Sequence, residues 1–155
     1  MDQIDVTILE LLQENGRMQN ADIARHLDMA PSGVLERIRK LEKKNIIESY
    51  TAKVNPYKAG VRLLAFILIK SDERPGSCDT AKRMIDLPEV LEVHNVAGED
   101  CYLVKVRVSD SVKLSDFIRE KLGVIESITS TRTLIVMDTL KETTNLNISL
   151  PESDE

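Results

Sequence analysis

Near the N-terminus, apolar positions recur with a period close to 3.6. Ile4, Ile8, Leu9, Leu11 and Leu12 form one stripe, which predicts an amphipathic helix. Asp2 and Asp5 stand where an N-cap and an N3 carboxylate help such a helix begin, and Gly16 can end it. The same period predicts a second helix over 20–27, capped by Asn20, with Ile23, Ala24 and Leu27 inward. After the break "DMAP", Val34, Ile38 and Leu41 fall on one face of a third helix. Pro31 sits in its first turn, where a missing N–H costs nothing. Asn45 stands where a left-handed C-cap is needed, a conformation asparagine tolerates. Three short helices with a turn of about four residues between the last two make a helix-turn-helix. The alternation in "NIIESYTAKVN" then predicts short strands or a β wing.

Beyond "NPYKAG", a linker with Pro56 and Gly60, the period changes toward two. "VRLLAFILIKS" reads as a strand. "CDTAKRMIDL" reads as a helix with Ala81, Met84 and Ile85 inward, ended by Pro88. "VLEVHNVAG" and "CYLVKVRV" read as strands joined by a tight turn at Gly98, Glu99 and Asp100. "SVKLSDFIREKL" is a second helix with Leu114, Phe117, Ile118 and Leu122 inward, and "TSTRTLIVMDTL" closes as a strand. The order βαββαβ predicts a ferredoxin-like unit, one antiparallel sheet with both helices on one face. Tyr102, Val104, Val106 and Val108 share one face of their strand, and Leu134 and Val136 alternate with Ile135 and Met137. A sheet apolar on both faces needs cover, and a second copy of the chain is the simplest cover.

The expected fold is therefore α+β. A winged-helix-like helix-turn-helix domain spans residues 1–60, a ferredoxin-like dimerisation domain spans 61–141, and a polar acidic tail spans 142–155. The tail is expected to fray, with "LNISL" as a segment able to augment a neighbouring sheet.

Charge adds direction to this outline. The chain of 155 residues carries a net charge of -5, yet its basic residues are clustered. Between Arg25 and Lys58, eight basic residues face four acidic ones, a segment of +4 in a chain whose remainder is then -9. No apolar run is long enough to cross a bilayer, and the N-terminus lacks the basic start and apolar stretch of a secretory signal. The expected location is the cytoplasm, with no membrane partner. Cys78 and Cys101 read as reduced thiols. His26 and His94 have no ligand-spaced neighbours, so no metal, cofactor or catalytic set is expected.

A basic helix-turn-helix fits DNA because an α-helix enters the major groove while cations hold flanking phosphates. Ser32, Gly33 and Glu36 lie at the outward N-terminal end of the third helix, where base edges would be met. Arg37 and Lys40 can reach bases or phosphates; Arg39, Lys43, Lys44, Arg25 and Lys53 are placed for the backbone. Gly33 costs roughly 1 kcal/mol of helix propensity, understandable where a larger side chain would hold the helix out of the groove. Two copies would read an imperfectly palindromic operator in double-stranded DNA.

"IDVTILELLQENGR", "ADIARHLDMAPSGVLERIRKLEKKNIIESYTAKVN" and "VAGEDCYLVKV" resemble the Lrp/AsnC family, the feast/famine or leucine-responsive regulators, over residues 2–141. The ordered set Asp5, Arg17, Ile23, Ala24, Leu27, Val34, Arg37, Ile38, Leu41, Glu42 and Ile47 is the most specific part. The sequence departs from the family pattern at Ala30, in place of a capping serine, and at Asn45, in place of a common glycine. The first departure moves the expected cap to Ser32 or Asp28. The resemblance implies a transcriptional regulator, not an enzyme, that pairs sheet to sheet as a dimer and associates into octamers. It also implies an amino acid or related metabolite bound between dimers. By the same resemblance, Gly98, Glu99, Asp100 and Cys101 line that small-molecule site, with Thr131 and Thr133 from the last strand. Independently, Gly98 permits close backbone approach, and Glu99 and Asp100 offer carboxylates to an ammonium group. The rival class is an amino-acid-sensing subunit or ferredoxin-like enzyme whose N-terminal helices bind protein rather than DNA.

Overall fold

The computed structural model describes residues 1–74 and 76–150, which form two compact units. Among the described residues, the first comprises Met1–Lys53 together with residues 141–150; the second lies within Val54–Leu140. The expected boundary near Gly60 thus falls earlier, and the tail belongs to the first unit.

Three helices build that unit: α1 (Gln3–Glu14), α2 (Asn20–Leu27) and α3 (Pro31–Lys43). The start of α1 is a reciprocal capping box, in which the Asp5 N–H donates to Asp2 Oδ1 at 2.9 Å and the Asp2 N–H donates to Asp5 Oδ2 at 3.1 Å. Gln19, not Asn20, caps α2, without a side-chain bond. Asp28 then turns left-handed with φ 50°, and residues 28–30 carry the chain into α3, one residue fewer than the pattern predicts. Ala30 caps α3 with no side-chain bond, so neither Ser32 nor Asp28 takes that role. Asn45 adopts the expected left-handed conformation, φ 55°. Ile8, Ile23, Val34, Ile38 and Leu41 are buried at the centre. Burial of each such side chain contributes about 1.5–3 kcal/mol.

The β wing does not form, because no described segment pairs with residues 46–52. The extended chain is pinned instead by Tyr50, whose hydroxyl donates to Glu42 Oε1 at 3.0 Å. Burial, and then the Glu42 carboxylate, push the Tyr50 phenol up to about 12. Nor do residues 142–148 fray or extend a sheet. The Gln13 side chain clasps the Leu146 backbone, accepting its N–H at 2.6 Å and donating to its carbonyl at 3.1 Å. Ile148 packs against the helical core, and Lys53 Nζ donates to the Glu142 carbonyl at 2.9 Å. The acidic end of the tail, residues 151–155, lies outside the described residues.

The second unit runs β1 (Leu63–Ser71), α4 (Asp79–Met84), β2 (Val90–Asn95), β3 (Tyr102–Val108), α5 (Ser111–Phe117) and β4 (Ile128–Ile135). The sheet order is β2-β3-β1-β4 with every pair antiparallel, the ferredoxin-like arrangement. Both helices cover one face, burying Met84, Leu114 and Phe117 against Ala65, Ile67, Ile69, Tyr102, Val104 and Val106. Ile85, expected inward, is exposed. Beyond α5 the chain widens into a π-type turn over Ile118–Leu122, closed by the Gly123 N–H donating to the Ile118 carbonyl at 2.8 Å. A Cβ on Gly123 would lie 2.6 Å from the Arg119 carbonyl oxygen, so the turn requires glycine. On the opposite face of the sheet, Phe66, Leu68, Leu103 and Leu134 alternate out of register with the core residues. Among the described residues no helix is long and apolar enough to cross a membrane.

Candidate functional site

The outward face of α3 follows from its buried one. With Val34, Ile38 and Leu41 held inward, Ser32, Glu36, Arg39, Lys40, Lys43 and Lys44 are exposed. The first turn holds no acidic residue and no capping side chain, so the positive end of the helix is uncompensated, a setting that favours phosphate. Gly33 has no packing reason to be glycine, since a Cβ there would meet only the flexible tip of Met29 at 3.4 Å. Lys40 bonds Glu36 one turn back at 2.8 Å, which lowers the Glu36 carboxyl. Both side chains are about two-thirds exposed, so this pair is weak and can open for a better partner. Arg25 is exposed on α2 and pairs with Asp22. Lys53 is exposed with its amine on the tail backbone.

Arg37, expected to reach bases or phosphates, is engaged within the chain. Its guanidinium turns toward the start of α1, where Nη1 meets Asp2 Oδ1 at 2.9 Å, Asp2 Oδ2 at 2.8 Å and Asp5 Oδ1 at 2.8 Å. Only 27% of its side chain is exposed. The Asp5 backbone N–H, and then Arg37, hold the Asp2 carboxyl below the usual range, while Asp2 and then Asp5 raise the Arg37 guanidinium.

The loop joining β2 to β3 is wider than a tight turn, spanning residues 96–101 between the paired Asn95 and Tyr102. Gly98 has φ 141°, which favours glycine, and nothing lies within 4 Å of where a Cβ would sit. Glu99 is exposed. The carboxylate of Asp100 is paired with Arg132 on β4 at 3.2 Å, in an ion pair whose arginine is exposed. Cys101 anchors the loop rather than lining it. Its N–H donates to the Ile69 carbonyl at 2.8 Å, and its sulfur accepts the Ser71 N–H at 3.4 Å. Thr131 and Thr133 pair with Ile69 and Ile67, so they share the core-side face of the sheet, while Arg132 and Asp100 meet on the other. Within one chain these six residues do not converge on a single face.

Beneath the loop lies a polar knot the sequence did not reveal. Buried Tyr102 donates its hydroxyl to Glu73 Oε1, and Glu73 Oε2 accepts the Thr80 N–H at 3.1 Å and the Ser77 hydroxyl at 3.3 Å. The buried Thr80 hydroxyl lies 3.1 Å from Ser71 Oγ and 2.7 Å from Ser127 Oγ. Desolvation opposes the ionised Glu73, but the Tyr102, Thr80 and Ser77 donors outweigh it and hold the carboxyl low. Burial and then Glu73 push the Tyr102 phenol up to about 12. Arg132 was also missed, although its place between Thr131 and Thr133 was visible as alternation.

Known proteins share both units. Residues 1–48 match the winged helix-turn-helix DNA-binding model, and residues 64–146 match the Lrp/AsnC ligand binding domain. The HTH-type transcriptional regulator FL11 of Pyrococcus furiosus is 36% identical over 148 residues, covering 96% of this chain and 97% of that protein. The leucine-responsive regulatory protein of Escherichia coli K12 is 34% identical over 152 residues, covering 96% and 92%. Among solved structures, a transcriptional regulator from Neisseria meningitidis in complex with L-Met superposes with a TM-score of 0.89 at 30% identity. That match covers 94% of this chain and 96% of the other. Escherichia coli AsnC gives 0.87 at 27% identity, covering 94% and 97%.

Proposed function

This chain belongs to the Lrp/AsnC family of DNA-binding transcriptional regulators, not to a family of enzymes, and from that premise we propose how its two units work. In this proposal α3 lies in the major groove of a palindromic operator. Ser32, Gly33 and Glu36 approach base edges, and Arg39, Lys40, Lys43 and Lys44 hold the backbone, with Arg25 and Lys53 at the flanks. One observation carries the assignment: a row of exposed basic side chains stands directly behind a helix face that is fully buried. The bare N-terminus of α3 and the sterically unneeded Gly33 support it. The second unit dimerises through the sheet face that carries Phe66, Leu68, Leu103 and Leu134, and dimers assemble further into an octamer.

The effector in this proposal is an amino acid or related metabolite, held between dimers by Gly98, Glu99, Asp100 and the Thr131 and Thr133 edge. Support comes from the methionine complex of the Neisseria relative and from the failure of these residues to converge within one chain, which leaves a neighbour to complete the site. The ligand acts by favouring one assembly over another, because only differential affinity can shift an equilibrium. A mobility-shift series over salt concentration on genomic fragments tests the DNA half. Saturable, sequence-selective shifts that weaken steeply with salt are expected; their absence, with or without amino acids, would reject it. A thermal-shift screen of the twenty amino acids tests the effector half.

A further inference from the structure

We propose that Arg37 is a positioning residue, which fixes the recognition helix against the first turn of α1 instead of contacting DNA. The inference rests on the DNA-binding role proposed above and assigns one side chain within it. Arg37 lies at the middle of α3, between the buried Val34 and Ile38 and the exposed Lys40. Its Nη1 reaches three carboxylate oxygens at 2.8 to 2.9 Å, shared between Asp2 and Asp5.

Those acids are not free to follow a mobile partner. Each receives the other's backbone N–H in the capping box, so their carboxylates are fixed before Arg37 arrives. All three contacts converge on the single terminal nitrogen Nη1, which the longer arginine side chain carries to these preset acceptors, and lysine, a compact point charge on a flexible stem, is not equivalent. The cluster contains two carboxylates and one guanidinium, so it offers a phosphate no net positive charge. Lys40 differs on every count: it is two-thirds exposed and paired only with an exposed, adjacent glutamate. The raised Arg37 and lowered Asp2 ionisations agree with a standing ion pair.

Salt separates the two roles. Removing a phosphate-contacting cation lowers the slope of log affinity against log salt by about 1, whereas loosening the helix lowers affinity without changing the number of ions released. For Arg37→Ala in the full chain, we expect a lower melting temperature without DNA, tenfold or weaker binding to the operator fragment, and an unchanged salt slope. Lys40→Ala should show the reverse, with a lower slope and unchanged melting. Asp2→Asn with Asp5→Asn should lower the melting temperature less in the Arg37→Ala background than in wild type, because only the capping box is then left to lose. Arg37→Lys keeps the charge, so it should keep the slope and still lose melting temperature. A slope lowered by about 1 in Arg37→Ala, or a melting temperature equal to wild type, overturns the assignment. If Arg37→Ala does not fold, the Arg37→Lys and Asp5→Asn variants carry the same comparison. Should wild type bind no DNA, the regulator proposal fails, while the melting series still decides whether Arg37 holds α3.

Discussion

The α3 face and the β2–β3 loop are both candidate binding surfaces, yet they use their polar groups in opposite ways. On α3 the basic side chains other than Arg37 point away from the body, while the Arg37 cluster lies at one flank and Glu42 accepts from Tyr50. In the loop, Asp100 and Cys101 are paired within the chain, with Arg132 and with the end of β1. A helix surface is complete once its opposite side is buried, so a single chain can present it finished. A loop depends on whichever strands it meets, and here two of its expected partners, Thr131 and Thr133, face the other side of the sheet. The first surface suits a large polyanion, and the second suits a small ligand only after another copy arrives.

Charge removal separates the two surfaces most widely. Replacing Arg39, Lys40 and Lys43 together by alanine should lower the salt slope of DNA binding by about 3, with ligand-induced thermal shifts unchanged. Equal losses in both assays would erase the distinction. Two glycines then probe the surfaces with opposite signs. Gly33→Ala should stabilise the chain by up to about 1 kcal/mol in thermal unfolding, through helix propensity, while weakening the complex with DNA. Gly98→Ala should destabilise it by about 1–3 kcal/mol, because alanine is strained at a φ of 141°. A stabilising Gly98→Ala would mean the loop relaxes freely and is not a built feature.

Asp100→Ala breaks a partly exposed ion pair, so it should cost less than about 1 kcal/mol of stability. It should nevertheless abolish any change in assembly size that an amino acid produces, read by light scattering. A full response in that variant would remove Asp100 from the ligand site. The smallest effect concerns acid. Glu73 has its carboxyl held below the ordinary value of 4.5, so it contributes stability that is present above that pH and lost as pH falls through the lowered value. Glu73→Gln should therefore flatten the acid limb of a melting-temperature profile and leave α3 function untouched.

How far each surface could be read from sequence follows from the reach of its contacts. Val34, Ile38 and Leu41 announced the buried side of α3, and Asp2 with Asp5 announced the capping box, because both are relations within one or two turns. The βαββαβ order was equally plain, since period two alternated with period near 3.6 along the second unit. The inward turn of Arg37 was not legible, as it depends on α1 and α3 packing side by side, with partners 32 and 35 residues away. Gln13 and Leu146 meet across 133 residues, so a tail of polar composition read as loose chain. The wing failed for a different reason. Alternation in "NIIESYTAKVN" is compatible with extended backbone, but a strand also needs a neighbour, and Tyr50 supplies only a side-chain anchor.

Selection of bound duplexes from a random DNA pool by the purified full chain addresses the role of α3 without assuming a target. We expect enrichment of an inverted repeat whose half-sites lie about 10–10.5 base pairs apart, or a multiple of that, with enrichment lost in the Lys40 and Lys43 alanine double variant. A pool that emerges without sequence preference, or one equally enriched by the double variant, would contradict a recognition helix on this face.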